Sequence, residues 1–206
     1  EGYGINEKII VEIPSGLLIT VDNGIAALAA LKKAKEKGLA VVVLDHHLPV
    51  KDEYGDQILP EADMLVDPHL TEAEDVFSDY CGAAIAYWFA CEMFNANFPE
   101  LLVLASIATV TDVMPLIGAN RTLVRDGLYY INRRRVAPGL MELLNRLQAE
   151  DHISEEDYGF LIGPVYNAAG RIYDNGADRV VQLLCSKRDD DMSGHIAQAL
   201  IETNNK

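Results

Sequence analysis

Two short apolar runs, Leu17-Leu18-Ile19-Thr20-Val21 and Leu39-Ala40-Val41-Val42-Val43-Leu44, bracket a segment of helical period. In that segment, residues 24–37, Ala and Leu fall on one face and Lys and Glu on the other, and Gly38 follows as the stop. Continuous apolar strands joined through a helix predict a parallel sheet covered on both faces. A right-handed crossover then brings both strand ends to one edge, where open α/β sheets bind ligands. Residues 62–66 read as a third, shorter strand ended by Asp67-Pro68, and residues 49–60 as a polar loop. From Gly82 the pattern turns helical, with helices predicted over 82–95, 100–111, 122–134, 139–149, 155–162, 176–184 and 189–203. The expected fold class is therefore α/β: a three-layer parallel-sheet domain followed by a mostly helical region. The expected division is an α/β part over 1–115 and a helical part with a connector helix over 116–206.

Composition narrows the picture. Half of the 206 residues are hydrophobic, which is a globular composition. No apolar run approaches the roughly 20 residues that span a bilayer. The three cysteines are well separated and none forms a Cys-x-x-Cys pair, which fits a reducing cytoplasm. The net charge of −15 opposes non-specific nucleic-acid binding, although a bound cation reverses the field within a site. The one dense basic run is Arg133-Arg134-Arg135, either a solvated helix end or a contact to a nucleic-acid backbone.

Chemistry concentrates at the ends of apolar segments. The first run ends in Asp22-Asn23-Gly24, the second in Asp45-His46-His47, and Ala105-Ser106-Ile107-Ala108-Thr109-Val110-Thr111 ends in Asp112. Carboxylates with imidazoles suit a divalent cation such as manganese. Such a cation polarises a phosphoryl oxygen and acidifies water. Neighbouring side chains on an extended segment point to opposite sides, so one His of the pair ligates while the other contacts substrate. Singly, Asp22 and Asp45 read equally as turn residues and Asp112 as a helix-end residue. His69 reads as a surface-loop residue, and Trp88 and Phe89 as core.

Val21-Asp22-Asn23-Gly24-Ile25, Asp45-His46-His47 and Ala108-Thr109-Val110-Thr111-Asp112-Val113-Met114-Pro115-Leu116 resemble successive motifs of the DHH phosphoesterase superfamily. Gly2-Tyr3-Gly4, Gly82-Ala83, Asn120-Arg121 and Gly163-Pro164 with Asn167-Ala168-Ala169-Gly170-Arg171 are similar to its RecJ branch, the single-strand-specific 5′→3′ DNA exonucleases. The resemblance implies metal ligation by Asp22, His46 and Asp112, with Mn2+ or Mg2+ as cofactor. Asp45 would lie in or beside the ligand shell, and His47 would contact the scissile phosphate. Gly82, Asn167 and Arg171 would bind substrate. It implies single-stranded DNA as ligand, with single-strand-binding or other repair proteins as candidate partners, in repair and recombination.

The pattern departs from the family in three places. No Asp-x-Asp-x-Asp-Gly strand end precedes Asp22, no glycine-rich substrate-binding domain follows, and Val165 stands where an Arg commonly follows Gly-Pro. With no initiator Met, the chain is expected to be a core piece of a longer protein. Two other readings share the metal motifs: a phosphoesterase on short oligonucleotides or cyclic dinucleotides, and a non-catalytic DHH scaffold of a replication or repair assembly. A Rossmann-type nucleotide binder is disfavoured, because no Gly-x-Gly-x-x-Gly follows the first strand.

Overall fold

The computed structural model describes residues 4–70, 77–149, 152–172, 176–187 and 191–205, with the backbone alone at 171, 172 and 191. Gly2, Tyr3 and the predicted helix start at Asp189 lie outside the described residues. The chain divides into two units, Glu1–Asn95 and Ala96–Lys206.

In the first unit, α1 (Glu7–Glu12) leads into β1 (Leu17–Val21), α2 (Leu28–Glu36) and β2 (Ala40–Leu44). A short hairpin, β3 (Val50–Lys51) and β4 (Gln57–Ile58), precedes β5 (Met64–Val66), and α3 (Gly82–Phe94) closes the unit. The sheet is parallel, in the order β1-β2-β5. Val41 and Val43 point to one face and pack with Ile10 of α1 and Ala30, Leu31 and Ala34 of α2. Helix α3 lies against β1 and β2 and buries Ala84, Ile85 and Tyr87. Among the described residues β1 is an edge strand, and Leu17, Ile19 and Val21 are exposed rather than fully buried.

Gly38 ends α2 as the sequence predicts. Its φ is +82°, its N–H donates to the Lys35 carbonyl, and the Leu39 N–H donates back to Ala34. That pair of bonds satisfies two otherwise orphaned helix carbonyls. The start of α2 differs from the sequence reading: the helix begins at Leu28, not at Gly24. Gly24 has φ +121°, and the Ile25 N–H donates 2.9 Å to the Asp45 carboxylate, so the chain folds back over the sheet edge before the helix starts. The polar loop over 49–60 holds the β3–β4 hairpin. Its turn forms because the Asp52 carboxylate accepts from the Tyr54 and Asp56 amides and Gly55 takes φ +91°.

The second unit is helical: α4 (Pro99–Thr111), α5 (Gly118–Ile131), α6 (Pro138–Arg146), α7 (Glu155–Asp157), α8 (Gly163–Ile172), α9 (Gly176–Leu184) and α10 (Asp191–Asn204). Its core gathers Val103, Ile107, Ile131, Leu140, Leu143, Leu144, Tyr158, Ile162, Leu183 and Leu200. One π turn, Tyr158–Ile162, joins α7 to α8. The segment after Gly163 is helical although it contains proline. Pro164 follows directly on the π turn within a helical run continuous from Glu155, and the widened turn, in which the Gly163 N–H reaches back to Tyr158 O, accommodates the missing N–H. Val165 and Ala169 point into the core. The departure at 165 thus puts an apolar side chain where this helix packs.

Candidate metal centre

The register of the sheet sets the site. Val21 pairs with Leu44, and Leu44 with Val66. The next residue on each strand is an aspartate: Asp22, Asp45 and Asp67. Two backbone bonds continue the ladder into this row, Asp22 N–H to Leu44 O (2.9 Å) and Asp45 N–H to Val66 O (3.0 Å). Three carboxylates therefore stand side by side along the C-terminal edge of the sheet.

Each has a different environment. Asp22 takes φ +59°, a left-handed conformation uncommon outside glycine, and its side chain is 60% exposed. His46 Nε2 lies 2.9 Å from Asp22 Oδ1, with the His46 side chain 13% exposed. Gly82, at the start of α3, makes this placement possible. A β-carbon on Gly82 would stand 2.6 Å from both Asp22 Cβ and Asp22 Oδ1.

Asp45 is 1% exposed and is held by four hydrogen bonds. Its Oδ2 accepts from the Ile25 amide, and its Oδ1 accepts from the amides of His46 (2.8 Å) and His47 (3.3 Å) and pairs with His47 Nδ1 at 2.7 Å. Burial pushes its pKa up, but these donors together outweigh burial and hold the carboxyl below the ordinary value. An ionised Asp45 accepts a proton-bearing Nδ1 from His47, which leaves the lone pair of neutral His47 on Nε2.

Asp67 is the residue that sequence reading passed over. It is 8% exposed; one oxygen accepts from the His69 amide at 2.8 Å, and Oδ2 has no partner among the described residues. Burial raises its pKa, and the neighbouring charge of Asp45 adds to the rise. The available signal was its position: it ends an apolar strand as Asp22 and Asp45 do.

Asp22, His46 and His47 each offer one ligand atom, and these atoms lie within 4.8 Å of one another. The two imidazoles, with ring centres 4.5 Å apart, do not point to opposite sides as the sequence reading expected, because residues 45–47 have left the strand. Oxygen and imidazole nitrogen donors so spaced fit manganese or magnesium-like ions. The remaining expected site residues lie in the second unit. Asp112 caps the C-terminus of α4, where its N–H donates to Ala108 O. Asn167 is exposed on α8, and position 171 follows one turn later on the same helix. Nothing is described of the Arg171 side chain.

Residues 3–110 match the DHH family, N-terminal domain. The chain belongs to the DHH family. Among curated relatives, the single-stranded-DNA-specific exonuclease RecJ of Dickeya dadantii is 34% identical over 207 residues, covering 90% of this chain and 34% of that protein. RecJ of Bacillus subtilis is 38% identical over 192 residues, covering 91% of this chain and 23% of that protein. The DHH chain thus spans about a third or less of these relatives. Among solved structures, exonuclease RecJ bound to manganese superimposes with a TM-score of 0.82 at 31% identity, over all of this chain and 51% of that one. RecJ of Thermus thermophilus in complex with Mn2+ gives a TM-score of 0.78 at 29% identity, over 96% of this chain and 28% of that one. In this DHH chain no described helix is long and apolar enough to cross a membrane.

Proposed function

We propose that this chain is the catalytic core of a RecJ-like, metal-dependent phosphodiesterase that removes nucleotides from the 5′ end of single-stranded DNA. The observation that carries the reading is the Asp22–His46–His47 cluster at the C-terminal sheet edge, with ligand atoms within 4.8 Å. The relatives named for this activity and the manganese-bound neighbours support it. A bound divalent ion supplies Lewis-acid polarisation of a phosphoryl oxygen and acidifies water.

The chain's own residues divide the remaining work. Asp22 and His46 hold the ion, and Asp112 adds a further carboxylate. Asp45 fixes the ring of His47, whose Nε2 side meets the scissile phosphate. Gly82 keeps Asp22 in place and brings its backbone close to the substrate. Asn167 and Arg171, one turn apart on α8, hold phosphate, for which an Arg fork is suited. The part over 1–115 carries the ion's ligands, and the part over 116–206 carries the phosphate contacts. The setting we infer is a reducing cytoplasm, with repair proteins that handle single strands as partners.

The test is release of labelled nucleotide from 5′-labelled single-stranded DNA, with and without manganese, by the chain and by His46→Ala. Manganese-dependent release that the substitution abolishes supports the reading. Undiminished release by His46→Ala counts decisively against it.

A further inference from the structure

Charge along this chain is segregated. Residues 113–141 carry five arginines and a single carboxylate, Asp126, in a chain whose net charge is −15. The structure gathers these arginines on one helix and the turn after it. Arg121, Arg125 and Tyr129 stand four residues apart on α5, all exposed, and form one stripe roughly 12 Å long. Beyond the helix end the stripe continues into exposed Arg133, Arg134 and Arg135. The opposite face of α5 buries Leu123, Val124, Gly127 and Ile131.

Part of this surface is ordered in advance. The Arg133 guanidinium carbon lies 3.6 Å from the centre of the Tyr129 ring, and its Nη1 donates to the Tyr129 carbonyl at 3.1 Å. Arg125 is tied to Asp126 at 2.8 Å, which softens one charge without removing the excess. Arg134 adopts φ +55°, and the Arg134 and Arg135 amides donate back to Ile131 O and Tyr130 O, so the turn that ends α5 carries these arginines.

We propose that this stripe is a track for the phosphate backbone of single-stranded nucleic acid. An excess of arginines beside an exposed aromatic ring is the composition that follows a flexible polyanion without reading its sequence. A protein of this net charge binds no polyanion through its average field, so a local excess of this size has to supply the attraction. The proposal takes the identity of the polyanion from the nuclease reading, and it requires no particular placement of the metal cluster.

The experiment measures anisotropy of a fluorescein-labelled 20-nucleotide oligo-dT with the full chain in EDTA, across a series of salt concentrations. EDTA removes catalysis, so binding is read alone. Each phosphate neutralised on a single strand contributes about 0.7 to the slope of log affinity against log salt. Arg134→Gln/Arg135→Gln should flatten the slope by about 1.4 and weaken binding several-fold at low salt. Lys8→Gln/Lys32→Gln removes the same charge from exposed positions in the first unit, and both quantities should stay at the wild-type values. Far-UV circular dichroism checks each fold. Should the 134/135 variant not fold, Arg121→Gln/Arg125→Gln carries the same expectation. Equal effects of the arginine and lysine variants, or no effect of the arginine variants, overturn the proposal. Salt-sensitive binding through the arginines without manganese-dependent hydrolysis would sink the catalytic reading and leave this surface standing. Hydrolysis with unchanged binding by the arginine variants would do the reverse.

Discussion

Gly82 touches Asp22 so closely that a β-carbon on the glycine would stand 2.8 Å from the aspartate's Cα as well as 2.6 Å from its Cβ. The contact joins the first residue of α3 to the carboxylate that ends β1. Alanine itself suits a helix, so Gly82→Ala acts through this clash and not through propensity. It should destabilise the fold by about 1–3 kcal/mol and weaken manganese binding roughly tenfold or more. Thermal melting and calorimetric titration check the two effects. An unshifted manganese affinity would show that Asp22 does not depend on the glycine.

Helix α4 ends at a strained residue. Val113, beside Asp112, has φ +57°, and its N–H donates to Val110 O while the Met114 N–H donates to Thr109 O. The same pair of bonds ends α2, where glycine occupies the left-handed position. A β-branched residue there carries a cost of roughly 1–2 kcal/mol. Val113→Gly should recover about 1 kcal/mol, less the entropy that glycine adds to the unfolded chain. A lower melting temperature for this variant contradicts the account of the cap.

Two neighbouring aspartates respond oppositely to pH. The folded pKa of Asp45 lies below the ordinary 3.8 because its hydrogen-bond donors outweigh burial. Its stabilising contribution is therefore present above 3.8 and fades as pH falls through the folded value. The folded pKa of Asp67 lies above 3.8, chiefly through burial. Its favourable contribution is complete below 3.8 and is lost as pH rises through the folded value. Asp45→Asn should cost roughly 1–3 kcal/mol at pH 7 and approach wild type in acid. Asp67→Asn should gain on the order of 1 kcal/mol at pH 7, with the gain vanishing in acid. Melting curves from pH 3 to 7 decide both, and parallel shifts at all pH values would contradict them.

Much of this architecture is legible in the sequence, for identifiable reasons. The strands at 17–21 and 39–44 are short apolar runs with a turn residue at each end, and α9 follows its expected bounds because its apolar period is clean. Gly38 ends α2 through a bond pattern that only nearby residues determine. What escaped depends on contacts distant along the chain. The late start of α2 reflects the bond from Ile25 to Asp45, twenty residues on. The closeness of Gly82 to Asp22 spans sixty residues; the sequence marks that glycine as a helix start and an expected substrate contact, but not as the neighbour of Asp22. The hairpin at 50–58 has strands of two residues each, too short for a period to register. Pro164 suggests a break, yet the π turn immediately before it lets the helix run on. The site was legible only in part: Asp22 and His46, expected as ligands, stand together with His47, expected at the phosphate, whereas Asp112, the third expected ligand, ends α4 in the second unit, and the burial of Asp67 follows only from strand register.

The most direct test of the metal centre is calorimetric titration of the chain with manganese at neutral pH. The account predicts saturable uptake, weakened at least tenfold by Asp22→Asn and by His46→Ala in proteins that keep their fold. Wild-type uptake that neither substitution changes, or no uptake at all, would contradict it.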